Sequence, residues 1–157
     1  MSQKDTQFRT WYDFDVLVIE ISGPIDERTR FQELPKSDKM QIMLERLTTL
    51  NSPGIRTWLL WMQTFREATS VSLTHVPVIM VNAMASVAGF IRSFMTVDSF
   101  YVPFYDDETG ESTRFLAIRG KHYGNAGKLM LPEVKTSTGK PMELDVSPEV
   151  YFSFLKQ

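Results

Sequence analysis

The feature that most constrains the fold of this chain is a polar turn, Asn51-Ser52-Pro53-Gly54, placed directly before an apolar helix face. After the turn, apolar residues recur at the period of one face of an α-helix, at Ile55, Trp58, Leu59, Met62 and Phe65. Ser52 is positioned to cap this helix, and Pro53 suits its first turn. The pattern predicts a helix that begins at the turn and packs one face on a core.

Segments rich in β-branched and large apolar residues flank this helix. Residues 15–22 form one such segment, which stops at Gly23-Pro24, and residues 71–76 form another. Residues 40–50 fit a helix face as well as a strand, and their ending in a turn favours a strand. Residues 79–94 are mostly apolar and predict a second helix. This alternation predicts an α/β fold, a mixed sheet with helices packed on it.

The character of the chain changes near residue 98. Beyond it, short β-forming segments alternate with turn formers, and a last helix begins at Ser147-Pro148-Glu149. The 157 residues suit one domain with a small addition. We therefore expect a flexible N-terminus (1–13), an α/β domain (14–97) and a small C-terminal β-hairpin appendage with a terminal helix (98–157).

Composition argues against several classes of function. Seventeen basic and nineteen acidic residues give a net charge of -2 with both signs scattered, which argues against a nucleic acid or an acidic membrane as partner. The chain has no cysteine, so it has no disulfide and no thiolate chemistry. No apolar run approaches the ~20 residues of a membrane span and no secretory signal is visible, so we expect a cytoplasmic protein.

No group of residues predicts catalysis, a metal site or a cofactor. His75 and His122 lie far apart in the sequence, and neither has a nucleophile beside it. The acidic run Asp106, Asp107 and Glu108 is more typical of a solvated turn than of a cation site. No glycine-rich phosphate-binding spacing is present. We therefore expect a binding protein and not an enzyme.

Two turns in the appendage share a spacing. They are Asp106-x-x-Thr109-Gly110 and Lys135-x-x-Thr138-Gly139, with 25 residues between Thr109 and Lys135. With cysteine at the four spaced positions, the segment would resemble a zinc ribbon; without thiols it does not hold zinc there. Two interpretations stay open: a ribbon-like unit that has lost its metal and keeps its shape by packing, or two unrelated turns.

The α/β part resembles a STAS domain of the anti-sigma-factor antagonist type. The resemblance lies in residues 16–26, 41–59 and 71–76 and covers roughly residues 14–97. Gly23-Pro24-Ile25-Asp26 is similar to the Gly-x-Leu-Asp turn of that family. Asn51-Ser52-Pro53-Gly54-Ile55 stands where the family has a strand ending in Asp-Ser-Ser-Gly-Leu/Ile before an apolar helix. The resemblance implies a strand for residues 40–50.

The resemblance also implies a bacterial signalling function. Ser52 matches the serine that kinases of this system phosphorylate, and an unmodified serine there permits docking. Asn51 replaces the usual Asp, which removes a charge, and Pro53 replaces the second Ser, which stiffens the loop. A switch by phosphorylation of Ser52 is therefore one of two interpretations. The implied partner is a regulatory protein, a GHKL-type serine kinase or anti-sigma factor, with a PP2C-type phosphatase as the resetting enzyme.

The expected partner-binding residues come from the turn, the following helix and the earlier Asp turn: Asp26, Asn51, Ser52, Pro53, Gly54, Ile55 and Trp61. Trp61, three residues after Trp58, is the expected contact anchor. The alternative is a structural or scaffolding subunit that keeps the fold and lacks the switch. A homodimer also stays open.

Overall fold

The computed structural model describes residues 5–35, 37–65, 69–124 and 128–156. Its main element is a mixed six-stranded sheet with helices packed on it, so the predicted α/β fold class is confirmed. The elements of this part, in chain order, are β1 (Gln7–Asp13), β2 (Val16–Ile25), β3 (Lys39–Met43), β4 (Leu47–Leu50), α1 (Ser52–Met62), β5 (Ser70–Thr74), α2 (Val78–Ser86) and β6 (Met95–Val97).

The main sheet has the strand order β1-β2-β3-β5-β6, with β4 also paired to β2. Strand β1 is antiparallel to β2, and the other pairs are parallel. β3 pairs with the first half of β2 and β4 with its last residues, so the predicted strand 40–50 exists as two segments. Residues 44–46 interrupt it, with the Leu44 side chain fully buried.

The core lies on one face of this sheet. Along β2, Leu17, Ile19 and Ile21 are buried in the core cluster, while the alternating Glu20 lies on the opposite face. Helix α1 contributes Trp58, which is fully buried in the same cluster. The period-two pattern of the strands and the 3.6-residue period of the helix therefore converge on one core.

The N-terminal segment differs from the expected flexible one. Residues 7–13 form β1, which pairs along its whole length with β2, from Gln7↔Ser22 to Asp13↔Val16. This pairing satisfies backbone groups that the polar composition of the segment had suggested were solvated. Residues 1–4 of the predicted segment lie outside the described residues.

Helix α2 is shorter than the predicted helix 79–94. It ends at Ser86, and Val87 takes an extended backbone conformation. Gly89 follows with a φ of 74°, a left-handed conformation that a continuing helix does not contain. Apolar composition alone therefore overestimated the length of this helix.

The last part of the chain forms a three-stranded antiparallel sheet and a short helix. The strands β7 (Ser99–Tyr105), β8 (Ser112–Ile118) and β9 (Glu143–Leu144) are ordered β8-β7-β9. Helix α3 (Pro148–Tyr151) runs into a 3-10 turn (Phe152–Lys156). The side chains of Phe100 and Tyr151 belong to the same hydrophobic cluster as Trp58. The last strand of the main sheet ends at Val97 and the first strand of the second sheet begins at Ser99. One hydrophobic cluster nevertheless contains residues of both parts.

Among the described residues, no helix has the length and apolar character needed to cross a bilayer.

Candidate recognition site at the start of helix α1

Asn51 caps helix α1. Its backbone is extended, and its side-chain Oδ1 accepts a hydrogen bond from the Gly54 N–H at 2.8 Å. The Ile55 N–H donates to the Asn51 carbonyl oxygen at 2.9 Å, the first hydrogen bond of the helix. The predicted cap at Ser52 is wrong, because Ser52 is already the first helical residue. Asn and Ser both cap well, so the sequence alone misplaced the boundary by one residue.

The cap assignment has a direct test. Asn51→Ala is expected to lower the free energy of unfolding by about 1 kcal/mol, because the Gly54 N–H loses its partner. Ser52→Ala is the matched control and should change stability by less than about 0.5 kcal/mol, since Ser52 is exposed. Urea denaturation measures both. If Ser52→Ala lowers the free energy of unfolding more than Asn51→Ala does, Ser52 and not Asn51 is the capping residue.

Gly54 brings the helix start against the end of strand β2. A Cβ atom at this position would lie 2.1 Å from the Ile25 carbonyl oxygen and 2.6 Å from its carbon. Only glycine allows this approach. Gly54 is an expected partner-binding residue, but it is buried. Its contact with Ile25 fixes the position of the 51–54 turn.

The Asp26 turn has its own hydrogen bonds. The Asp26 carboxylate accepts from the Arg28 N–H at 2.8 Å and from the Arg28 guanidinium at 3.1 Å. The Asp26 N–H donates to the Thr29 hydroxyl at 2.9 Å. The hydrogen bond from the Arg28 side chain lowers the pKa of Asp26 below its ordinary value. Asp26 is therefore charged and held in place at neutral pH.

The two turns of the predicted recognition surface, at residues 26–29 and 51–54, lie in contact. The Asn51 side-chain N–H donates to the Glu27 carboxylate at 2.9 Å, and the Asn51 backbone N–H donates to the Ile25 carbonyl oxygen at 3.4 Å. The backbone N–H of Glu27, followed by the Asn51 amide, lowers the pKa of Glu27. The amide of Asn51 thus joins both turns: its oxygen accepts the capping hydrogen bond from Gly54 and its nitrogen donates to Glu27.

The first three residues of the turn are exposed: Asn51, Ser52 and Pro53. Ile55 is half-buried and packs against the core, so it offers only part of its surface. Arg56 is exposed four residues after Ser52, which places it on the same side of the helix. The accessible surface at this site is therefore polar, with a carboxylate at Glu27 and a guanidinium at Arg56.

Trp61 is not at the surface, contrary to its expected role as an anchor. Its side chain is 7% exposed and stacks on Phe31, with ring centroids 4.4 Å apart and planes at 11°. Trp58 lies edge-on to it at 5.5 Å. Residues three apart share a helix face, so this spacing itself indicates that both rings are buried. Leu60, which is not among the predicted binding residues, is 55% exposed on the same helix.

The structure also brings together the two turns of the appendage. Lys140, directly after the second turn, lies 3.5 Å from the Asp106 carboxylate of the first turn and also pairs with Glu108. The Ser137 N–H donates to the Glu111 carboxylate at 3.1 Å. These contacts join turns about 25 residues apart in sequence. The contact does not decide between the two interpretations, a ribbon-like unit without its metal and two unrelated turns.

Asp106 departs from the expected solvated acidic turn. It is 5% exposed, and it accepts a hydrogen bond from the Thr109 hydroxyl at 2.8 Å. That hydroxyl is the main cause that lowers the pKa of Asp106, with Lys140 adding to the effect. Asp107 and Glu108 are exposed as expected. Within residues 5–35, 37–65, 69–124 and 128–156, no three His, Cys, Asp or Glu side chains gather where they could hold a metal ion.

Comparison with known proteins gives no further assignment. No family model matches the chain, and no curated protein matches it.

Proposed function

We propose that this chain is a non-catalytic, cytoplasmic signalling protein that resembles an anti-sigma-factor antagonist. It binds a regulatory protein through the exposed residues of the turn, Asn51, Ser52 and Pro53, together with the Asp26 turn. The observation that carries this proposal is the exposure of these three residues on a rigid base, where Gly54 contacts Ile25. By family analogy, which is weaker support than a site, the partner is a serine kinase or anti-sigma factor.

Phosphorylation of Ser52 is the proposed switch. A phosphate there would carry a charge of about -1.5 to -2 at neutral pH, at the N-terminal end of helix α1. The helix dipole and Arg56, one turn along, favour this charge, while the nearby Glu27 carboxylate opposes it. The helix therefore tolerates the phosphate, and its added bulk and charge act on the docking of the partner.

Affinity capture from a bacterial lysate tests this proposal with wild type, Ser52→Ala and Ser52→Asp. Wild type and Ser52→Ala should recover the same partner, and Ser52→Asp should recover at least about tenfold less, because a carboxylate mimics part of the phosphate charge. Ser112→Asp, an equal change at an exposed residue of β8, is the control and should behave as wild type. Mass spectrometry after incubation with ATP and lysate should find phosphate on Ser52.

A scaffolding subunit with a retired switch is the second candidate. Asn51 favours it, because its amide makes structural hydrogen bonds on both sides and brings no charge to orient a kinase. Pro53, in place of a second Ser, stiffens the same turn. Equal partner recovery by wild type, Ser52→Ala and Ser52→Asp, with no phosphate on Ser52, would support the scaffold and overturn the switch.

A further inference from the structure

Within the described part of the chain, strand β1 is an open edge of the main sheet. Among the described strands it pairs only with β2, and its register runs without a bulge from Gln7↔Ser22 to Asp13↔Val16. It contains no proline and no lysine. The outer edge of such a strand presents a row of backbone donors and acceptors, which native proteins normally cover or interrupt.

Aromatic side chains are exposed at the end of this strand. Tyr12 is 57% exposed, Trp11 is 39% exposed, and Phe14 in the turn to β2 is 97% exposed. Phe14 also has a φ of 55°, which is unfavourable for a bulky residue. Trp11 and Tyr12 are consecutive in the strand and so lie on opposite faces of the sheet, which leaves exposed aromatic side chains on both faces beside the open edge.

We propose that β1 pairs antiparallel with β1 of a second copy of this chain, with the two Trp11 residues facing each other across the two-fold axis. The two main sheets then form one continuous sheet. In this register Arg9 lies opposite Asp13 of the partner subunit, and Thr10 lies opposite Tyr12 of the partner subunit. Phe8 comes next to Phe14 of the partner subunit. This inference is independent of the proposed function.

Charge complementarity selects this register. Arg9, Trp11 and Asp13 alternate along β1 and so share one face of the sheet. The two-fold axis at Trp11 forms two Arg–Asp pairs per interface, and opposite charges directly across strands are favourable. The Arg9 side chain is 72% exposed although it lies 3.5 Å from Glu20, so it has room for a second carboxylate. An axis at Thr10 would instead place Asp13 opposite Gln7 of the partner subunit and leave Phe14 uncovered.

Sedimentation equilibrium of the full chain tests the dimer. The wild-type mass should rise from the 18.1 kDa of one chain towards twice that value between about 1 µM and about 1 mM, a range that spans moderate and weak association. A wild type that stays monomeric throughout this range would overturn the proposal and leave the edge to a strand from another protein.

A charge exchange tests the register. Asp13→Arg and Arg9→Asp, each alone, place like charges opposite each other and should weaken the dimer at least tenfold. The double variant Arg9→Asp/Asp13→Arg restores opposite charges and should recover the dimer. Asp107→Arg makes the same change in net charge at an exposed turn residue and should leave the dimer intact.

Circular dichroism shows whether each variant is folded. Arg9→Asp also places a carboxylate opposite Glu20 within the same chain, which can destabilise the fold itself. If Arg9→Asp is unfolded, Asp13→Arg alone tests the register. Dimers that persist in a folded Asp13→Arg variant, or a folded double variant that stays monomeric, would overturn this register.

Discussion

Gly54→Ala is expected to destabilise the protein by about 3 kcal/mol or more, the upper end of the cost of overpacking. The added Cβ would lie 2.1 Å from the Ile25 carbonyl oxygen, far inside any van der Waals contact. The clash is with backbone atoms at the end of β2. Backbone atoms cannot avoid it by a change of rotamer, as a side chain could. Either helix α1 or the end of β2 must therefore move. Urea denaturation of the purified variant measures the loss.

Gly124→Ala is the control for this substitution. No described atom lies within 4 Å of a Cβ added at Gly124, and its φ is not in the left-handed region. We expect a change of less than about 0.5 kcal/mol there. If Gly54→Ala unfolds at the same urea concentration as wild type, the close approach of the helix start to Ile25 does not exist.

Trp58→Ala is expected to cost about 3–5 kcal/mol, the usual range for removing a large aromatic side chain from a core. Trp58 is fully buried and lies edge-on to Phe31 and Trp61 and stacked on Phe90, with centroid distances from 5.5 to 6.3 Å. A domain of this size typically has about 5–15 kcal/mol of stability, so this variant should be barely folded.

Trp58→Phe should cost clearly less than Trp58→Ala. Within the described part of the chain, the indole N–H of Trp58 has no hydrogen-bond partner, so phenylalanine removes ring area without breaking a hydrogen bond.

Leu60→Ala, at a residue 55% exposed on the same helix, should change stability by less than about 0.5 kcal/mol. Chemical denaturation compares the three variants. A cost at Leu60 equal to that at Trp58 would mean that the buried face of α1 is assigned wrongly.

Local patterns predicted most of the α/β architecture. The density of β-branched and large apolar residues in 15–22 and the helical period from Ile55 are properties of consecutive residues, and the structure has a largely buried strand and a helix there. The N-terminal strand was missed because β1 is stabilised by its pairing with β2, which the composition of residues 7–13 does not reveal. The end of α2 was missed because apolar residues continue beyond it.

The candidate site was predicted in location and only partly in detail. The sequence indicated the turn at residues 51–54, yet the close approach of Gly54 to Ile25 depends on two backbones 29 residues apart. The burial of Trp61 depends on Phe31, which lies in a largely polar segment with no periodicity. Contacts of this kind arise from tertiary packing, and a single sequence carries no direct signal for them.

The double role of Asn51 has a consequence for how a partner would be bound. Because its amide holds the helix start to Gly54 and the loop to Glu27, the backbone beneath Ser52 and Pro53 is already ordered before any encounter. A partner that docks there would restrict few additional rotations on this side, so little conformational entropy would be lost. Recognition at this turn would then follow rigid-body docking, with an association rate limited by orientation and not by refolding of the loop.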